Sequence, residues 1–300
     1  MESAFTALCD AVVPDVLAGA LQTFASHTGL KWGVVSANQY WFQPPKVHIG
    51  LFVLGMIFCA VLQKRSRGFR GGAIAQLAVK GAGRSVRCPI NTLVAATLIV
   101  CLGAQVYVKG SRPKPLVQLA WLLMPCHVFT AVWIYIFLHD TPRSYANNCY
   151  LATLMMDWSW APVAAALEPD WGDHRFFWEG YIFFTHHTLL LLLPVYYAAR
   201  YDSLGLSWPH VFHLTWVPTF VNFSIFAPYG LFIGLNVNYQ LAPPPISGPV
   251  PAALRSVLFR PAYVLIFVAL SVLSNALTRQ GGKVLRTALT AVQRAERKVK

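Results

Sequence analysis

The 300-residue chain is 56% hydrophobic and only 12% charged, and its mean hydropathy is +0.50. This composition is too apolar for a soluble domain of that length, and it predicts an all-α, polytopic membrane protein. The net charge of +13 is compatible with nucleic-acid binding, but its distribution between the two sides of a membrane favours a topology signal, so no nucleic-acid partner is expected.

Seven apolar stretches are each about as long as a membrane-spanning helix needs to be. In chain order they cover residues 47–63, 90–108, 117–138, 148–167, 181–200, 211–234 and 261–277. The first is short, and the fourth contains Asp157 and Pro162. The chain is thus predicted to have an N-terminal segment (1–46), a seven-helix membrane domain (47–277) and a tail (278–300).

The basic residues predict the orientation of these seven helices. If the loops alternate across the bilayer, sixteen of the 24 Lys and Arg residues lie on one side, in residues 64–89, 139–147, 200–210 and 278–300. The positive-inside rule places that side in the cytosol, with the N-terminus in the lumen or outside. The tail after Gly281 and Gly282 mixes apolar and basic residues, which predicts an amphipathic helix lying on the cytosolic leaflet.

Polar groups inside membrane spans are costly, and they are therefore the first candidates for function. They include Cys126, His127, Thr130, Asp157, His186, His187 and Asn222, with Glu179 two turns before His186.

The stretch LLMPCHVFT, residues 122–130, suggests cysteine chemistry. A cysteine attacks as a thiolate, so it needs a base close by. At 1.5 Å per residue, Cys126 lies roughly 14 Å and His187 roughly 9 Å from the lumenal ends of their spans, so the two can meet. His127 is a poorer base, because adjacent helix residues point about 100° apart. Pro125 cannot donate to the carbonyl of Trp121, which predicts a kink beside Cys126.

Each of these residues also has a purely structural interpretation. A buried cysteine is often only a small apolar residue, and intramembrane histidine or aspartate commonly bridges helices. A non-enzymatic receptor or transporter, with the buried polar groups binding a ligand or ion, is therefore an alternative to an enzyme.

Three segments together resemble the transmembrane protein 164 family, over about residues 105–245. They carry Pro125-Cys126-His127, then Glu179, His187 and Pro194, then Asn236 and Asn238 before Pro243. The order and spacing of these motifs are those of the family. His186 has no counterpart in the family pattern, and Asn222 stands where that pattern has a histidine.

The resemblance implies a cysteine-dependent phospholipid acyltransferase that moves polyunsaturated acyl chains from a phospholipid donor onto lyso ether phospholipids. Cys126 would be the nucleophile and His187 the base, while His127, Thr130, Glu179 or Asn222 would orient the base or stabilise the oxyanion. No cofactor and no metal is implied. The fold is similar to that of the androgen-induced lipid hydrolases, which use threonine, so hydrolysis of lipid esters is a second alternative. We expect a protein of the endoplasmic reticulum or another endomembrane.

Overall fold

The computed structural model describes residues 2–31, 43–81, 88–167, 169, 174–233, 235–237, 240–241, 243 and 252–299. These residues form helices, turns and loops, and no strand occurs among them. The α-helices are α1 (Glu2–Val12), α2 (Asp15–Lys31), α3 (Pro45–Arg65), α4 (Phe69–Gly81), α5 (Pro89–Gly110), α6 (Pro115–Leu119), α7 (Pro125–Leu138), α8 (Tyr145–Asp157), α9 (Trp160–Leu167), α10 (Glu179–Arg200), α11 (Trp208–Val221), α12 (Ala227–Ile233) and α13 (Phe259–Val299).

The predicted all-α, multi-pass membrane architecture is confirmed. Within the described ranges, five helical stretches are long and apolar enough to cross a bilayer: α3, α5, α10, α11 with α12, and α13. Two bent pairs, α1 with α2 and Pro115–Leu123 with α7, raise the number to seven if each pair is one span. The five stretches and the second pair fall where hydropathy predicted spans. The orientation across the membrane stays a prediction.

The fourth predicted span, residues 148–167, does not form one helix. The chain makes α8 and α9 instead, separated at Trp158 and Ser159. With 13 residues, α8 is about 20 Å long and too short for a hydrocarbon layer of about 30 Å. Most of its side chains are buried within the protein, including Cys149, Met156 and Asp157. The apolar character of α8 therefore reflects packing against other helices, and the remaining candidate span is the N-terminal pair α1 and α2.

The helices divide into two compact units. The first unit consists of residues 1–66, 108–124 and 212–268, and the second of residues 67–107, 125–211 and 269–300. In the first unit, α3 contributes Val47 and Leu51 to a cluster with Cys9 and Phe223. Ala25 of α2 packs against Leu231 and Leu241 in the same unit.

The second unit is built around α8, which contacts α4, α7 and α10. Its core includes Trp133 of α7, Met156 of α8, and Leu190 and Tyr197 of α10, all almost completely buried. This packing fixes α7 and α10 beside one another, and these two helices carry the cysteine and histidines singled out in the sequence.

The predicted tail is not separated from the preceding span by the glycine pair. Helix α13 runs without interruption through Gly281 and Gly282 for 41 residues. Within the second unit, Arg286 donates from Nε to the carbonyl of Ala199 (2.7 Å) and from Nη2 to that of Ala198 (3.0 Å). These are the last carbonyls of α10, which lack intrahelical donors, so this part of α13 caps α10. Contact with the cytosolic leaflet stays a prediction.

Candidate functional site

Cys126 lies at the second position of α7, where a new helix begins. The 3₁₀ turn Ala120–Leu123 ends at Met124, whose backbone is extended (φ −59°, ψ 144°), and α7 starts at Pro125. Proline disfavours the helical conformation in the residue before it and suits the first turn of a helix, because it has no N–H to leave unsatisfied. The predicted kink is therefore a complete break, and half-buried Cys126 sits at a helix N-terminus, an end that favours a negatively charged group.

Thr130 connects the turn of Cys126 to α10. Its Oγ1 donates to the carbonyl oxygen of Cys126 at 2.7 Å and is also hydrogen-bonded to His186 Nε2. A hydroxyl has a single proton, so the bond to the carbonyl requires that His186 Nε2–H donates to Thr130. Nε2 of His186 therefore carries a proton, and the lone pair of the neutral ring is on Nδ1.

His187 has the opposite tautomer. Its Nδ1 lies 2.8 Å from the carbonyl oxygen of Phe183, one turn earlier in α10. A carbonyl oxygen only accepts, so Nδ1 carries the proton and the lone pair of the neutral ring is on Nε2. The ring of Phe183 packs against that of His187 with centroids 4.1 Å apart, and this contact restricts the orientation of the His187 ring.

The histidine cluster is defined by Cys126, His127, Thr130, His186 and His187, all in the second unit. The rings of His127 and His186 stack with centroids 5.7 Å apart and an angle of 12° between their planes, and His187 meets His186 edge-on at 5.1 Å. The three histidines and Thr130 are buried. The structure thus brings the predicted Thr130 and the three histidines together on α7 and α10, and it links Cys126 to them through the carbonyl oxygen of its backbone.

Glu179 has a structural role at the start of α10. Its Oε1 accepts hydrogen bonds from the backbone N–H groups of Arg175 (2.7 Å) and Phe176 (2.8 Å), which closes the turn that leads into the helix. His186 follows seven residues later, about 10 Å along the axis. Glu179 therefore positions the first turn of the helix that carries both histidines.

Asp157 belongs to a different buried cluster of the second unit. Its Oδ2 is 2.9 Å from His210 Nε2, and its Oδ1 accepts from Asn275 Nδ2 at 2.7 Å. All three side chains are fully buried, and the ring of Phe69 stacks on His210 with centroids 4.9 Å apart. This arrangement ties α8, α11 and α13 together. It supports the structural interpretation of Asp157.

Asn275 was missed among the polar residues of the predicted spans. Asn275 is the one amide in the predicted span 261–277, whose other polar side chains carry only hydroxyl groups. A polar group at that position signals a buried partner, although the sequence does not identify which one.

The remaining predicted residues lie in the first unit or outside the described residues. Asn222 begins a five-residue π-helix, Asn222–Phe226, between α11 and α12; π-helical turns occur often at functional sites. Asn236 Oδ1 accepts from the backbone N–H of Leu241 at 2.8 Å, which holds the loop after α12. Asn238 lies outside the described residues.

No metal site is evident in the part of the chain that the structure describes. Within it, no group of three or more His, Cys, Asp or Glu side chains is arranged to hold a metal ion.

Comparisons with known proteins identify the family. The model of the TMEM164 family matches residues 38–278. A Transmembrane protein 164 homolog from Dictyostelium discoideum is 24% identical over 183 residues, which are 61% of this chain and 65% of that relative's length. The match thus spans a little less than two thirds of the relative. No solved structure matches the chain. Because the family model covers most of its length, this chain belongs to the transmembrane protein 164 family.

Proposed function

We propose that this membrane protein is a phospholipid acyltransferase that uses Cys126 as nucleophile and His187 as general base. The observation that carries the proposal is the tautomer of His187. Its Nδ1–H is bound to the Phe183 carbonyl, which leaves the Nε2 lone pair to accept a proton in the cluster that contains Cys126.

The surroundings of Cys126 support the role of a nucleophile. It lies in the first turn of α7, where the helix dipole favours negative charge and where backbone N–H groups lack intrahelical acceptors. These groups suit both a thiolate and the oxyanion that forms when it attacks an ester. His186 is the weaker candidate for the base, because its Nε2–H donates to Thr130 and its lone pair is therefore on Nδ1, the ring nitrogen nearer its own backbone.

The proposed reaction has two steps. Cys126 gives its proton to His187 Nε2, and the thiolate attacks an ester carbonyl of a donor phospholipid. The S–C bond forms, the C–O bond breaks, and the lysophospholipid leaves with the proton held by His187. The hydroxyl of a lyso acceptor then gives its proton to His187 and attacks the thioester. The C–S bond breaks, and Cys126 recovers its proton.

The proposed substrate class is supported by the position of the cluster on candidate membrane helices and by the resemblance in sequence. A site carried by membrane helices meets substrates that dissolve in the bilayer, and phospholipids are the abundant esters there. Low water content favours a lyso acceptor over water in the second step. A polyunsaturated donor chain, a lyso ether acceptor and an endoplasmic-reticulum location belong to the same proposal.

The test uses purified protein in mixed-lipid vesicles containing a phospholipid with a labelled acyl chain. Wild type, Cys126→Ser, Cys126→Ala and His187→Gln are compared by mass spectrometry, with and without lysophosphatidylethanolamine. Cys101→Ser is the matched control, because Cys101 is a buried membrane cysteine of α5. Transfer of label to the acceptor by wild type and Cys101→Ser, with a loss of at least 100-fold in both Cys126→Ala and His187→Gln, is the expected result.

Two other outcomes contradict the proposal in different ways. Free labelled fatty acid that does not depend on the acceptor identifies a hydrolase. Equal activity of Cys126→Ala and wild type, or no reaction by a folded wild-type protein, removes the cysteine mechanism and favours a binding or transport role. A thioester on Cys126, detected as an added acyl mass that hydroxylamine removes, separates covalent from direct transfer.

A further inference from the structure

Arg260 is a buried arginine in the first unit, whereas arginine is usually exposed. It is the second residue of α13, and only 3% of it is exposed. Arginine keeps its proton under physiological conditions, and a buried charge is costly unless it is paired. The groups around Arg260 therefore indicate what stabilises the charge.

Two of the three guanidinium nitrogens of Arg260 have hydrogen-bond partners. Nε donates to the carbonyl oxygen of Gln240 at 2.6 Å, and Nη2 also donates to that oxygen. Nη2 lies 2.9 Å from His48 Nδ1, which must be the acceptor because guanidinium only donates. The third nitrogen, Nη1, is buried and has no hydrogen-bond partner among the described residues. The guanidinium carbon lies 5.7 Å from the ring centre of Phe223 and 5.9 Å from that of Phe259.

These partners are neutral, so they do not balance the charge. The first unit contains three acidic residues, Glu2, Asp10 and Asp15, and all three are exposed. Asp15 pairs with Lys46 at 2.7 Å, and Glu2 Oε1 accepts from the backbone N–H of Val257 at 3.2 Å. No carboxylate of the described residues lies within ion-pair distance of Arg260. A bound anion would balance this buried positive charge.

Two helix N-termini meet at the same point. Arg260 is in the first turn of α13, and His48 is in the first turn of α3, which begins at Pro45 and has no side-chain cap. The positive ends of both dipoles disfavour the arginine and favour an anion. Arginine is thus placed where its charge is least favourable, unless that anion is present.

The depth of the site suggests where the anion comes from. Both α3 and α13 are candidate membrane spans, and the contact between His48 and Arg260 joins their first turns. Where the first turns of two candidate spans meet, they mark the boundary of the hydrocarbon layer, which is next to the phosphates of the lipid headgroups. A planar guanidinium nitrogen with two N–H groups suits a phosphate oxygen.

We propose that Arg260, with the first turns of α3 and α13, binds the phosphate of a phospholipid headgroup. The phosphodiester oxygen accepts from Nη1, while Gln240 and His48 hold the other two nitrogens and fix the guanidinium plane. This site lies in the first unit and is distinct from the histidine cluster. The inference does not depend on acyl transfer, because it concerns binding alone.

The test measures lipid-dependent thermal stability of the full chain in detergent. Wild type is titrated with phosphatidylethanolamine, with diacylglycerol of the same acyl chains and with inorganic phosphate. Arg260→Gln and Arg260→Lys are titrated in parallel, and Arg255→Gln, at an exposed arginine five residues earlier, is the control. We expect stabilisation of wild type and Arg255→Gln by phosphatidylethanolamine alone, with an affinity loss of about 10- to 100-fold in Arg260→Gln and a smaller loss in Arg260→Lys.

The comparison of the three ligands identifies which part of the lipid causes the stabilisation. Equal stabilisation by diacylglycerol means that the acyl chains bind and the phosphate does not, which overturns the inference. Stabilisation by inorganic phosphate at the same concentration overturns the lipid as the source. If phosphatidylethanolamine stabilises Arg260→Gln as much as wild type, the inference is also overturned. If that variant does not fold, the lipid comparison on wild type, with native mass spectrometry of retained phospholipid, still decides the outcome.

Discussion

Gly282 allows α13 to approach α10 more closely than any other residue could. A Cβ built on Gly282 would lie 2.5 Å from Ala198 Cβ, 2.8 Å from the carbonyl carbon of Ala198 and 3.0 Å from the backbone nitrogen of Ala199. Carbon atoms pack at about 3.5–4.0 Å, so the overlap is about 1 Å. Two of the three atoms belong to the backbone of α10. Rotation of a side chain therefore cannot relieve the overlap, and the helices must separate.

The expected effect of Gly282→Ala is the difference between two terms. Inserting a methyl group into a packed contact costs about 1–3 kcal/mol, while alanine in place of glycine stabilises a helix by about 0.5–1 kcal/mol. Separation of the helices also lengthens the bonds from Arg286 to the last carbonyls of α10. We expect the free energy of unfolding to fall by about 1–2 kcal/mol, which corresponds to a few degrees in Tm.

The matched control is Gly103→Ala in α5, where nothing lies within 4 Å of the added Cβ. This variant gains the helix term without the overlap, so it should be more stable than wild type by about 0.5–1 kcal/mol. The stability of both variants is measured by thermal unfolding in the same detergent, monitored by size-exclusion chromatography of fluorescent fusions. The two changes should have opposite signs. A Gly282→Ala variant as stable as Gly103→Ala would refute the close approach of α10 and α13.

Two further predictions concern buried polar groups of the second unit. Asp157→Ala leaves His210 without its buried carboxylate and should lower the free energy of unfolding by about 3–5 kcal/mol. Asp10→Ala, at an exposed position, should leave it nearly unchanged. Equal melting temperatures of the two variants would contradict the buried pair. Thr130→Val removes the hydroxyl between the turn of Cys126 and α10 and should lower acyl transfer about tenfold in vesicle assays. Thr97→Val, which removes a similar bond to a carbonyl four residues earlier, should retain activity, and equal losses in both would show a general helix effect.

The membrane spans could be predicted well because crossing a bilayer is a local property of the sequence. A helix such as α5 or α10 needs about 20 apolar residues, whatever lies elsewhere in the chain. Residues 148–167 satisfied the same local test, but α8 is buried among α4, α7 and α10. Lipid and protein interiors are both apolar, so hydropathy alone does not distinguish them.

The histidine cluster was predictable in its members more than in its geometry. Depth along the two spans placed Cys126 and His187 at similar levels, and the structure joins their helices through Thr130 and His186. Which ring nitrogen of each histidine carries the lone pair depends on the partners that the rotation of α10 about its axis gives it. That rotation is set by packing across the second unit. The roles of His186 and His187 therefore differ although they are adjacent in sequence.

The sequence by itself determined the membrane class, the all-α fold, most of the spans and the family of this protein, because these depend on composition, local apolarity and short motifs. Tertiary structure decided the break before Cys126, the tautomers of the two histidines, the pairing of Asp157 with His210 and the burial of Arg260. Asp157 and His210 are separated by 53 residues, and Arg260 and His48 by 212. Such contacts form only when distant helices pack, since the partner of a buried polar group is chosen by the fold and not by its neighbours in the chain.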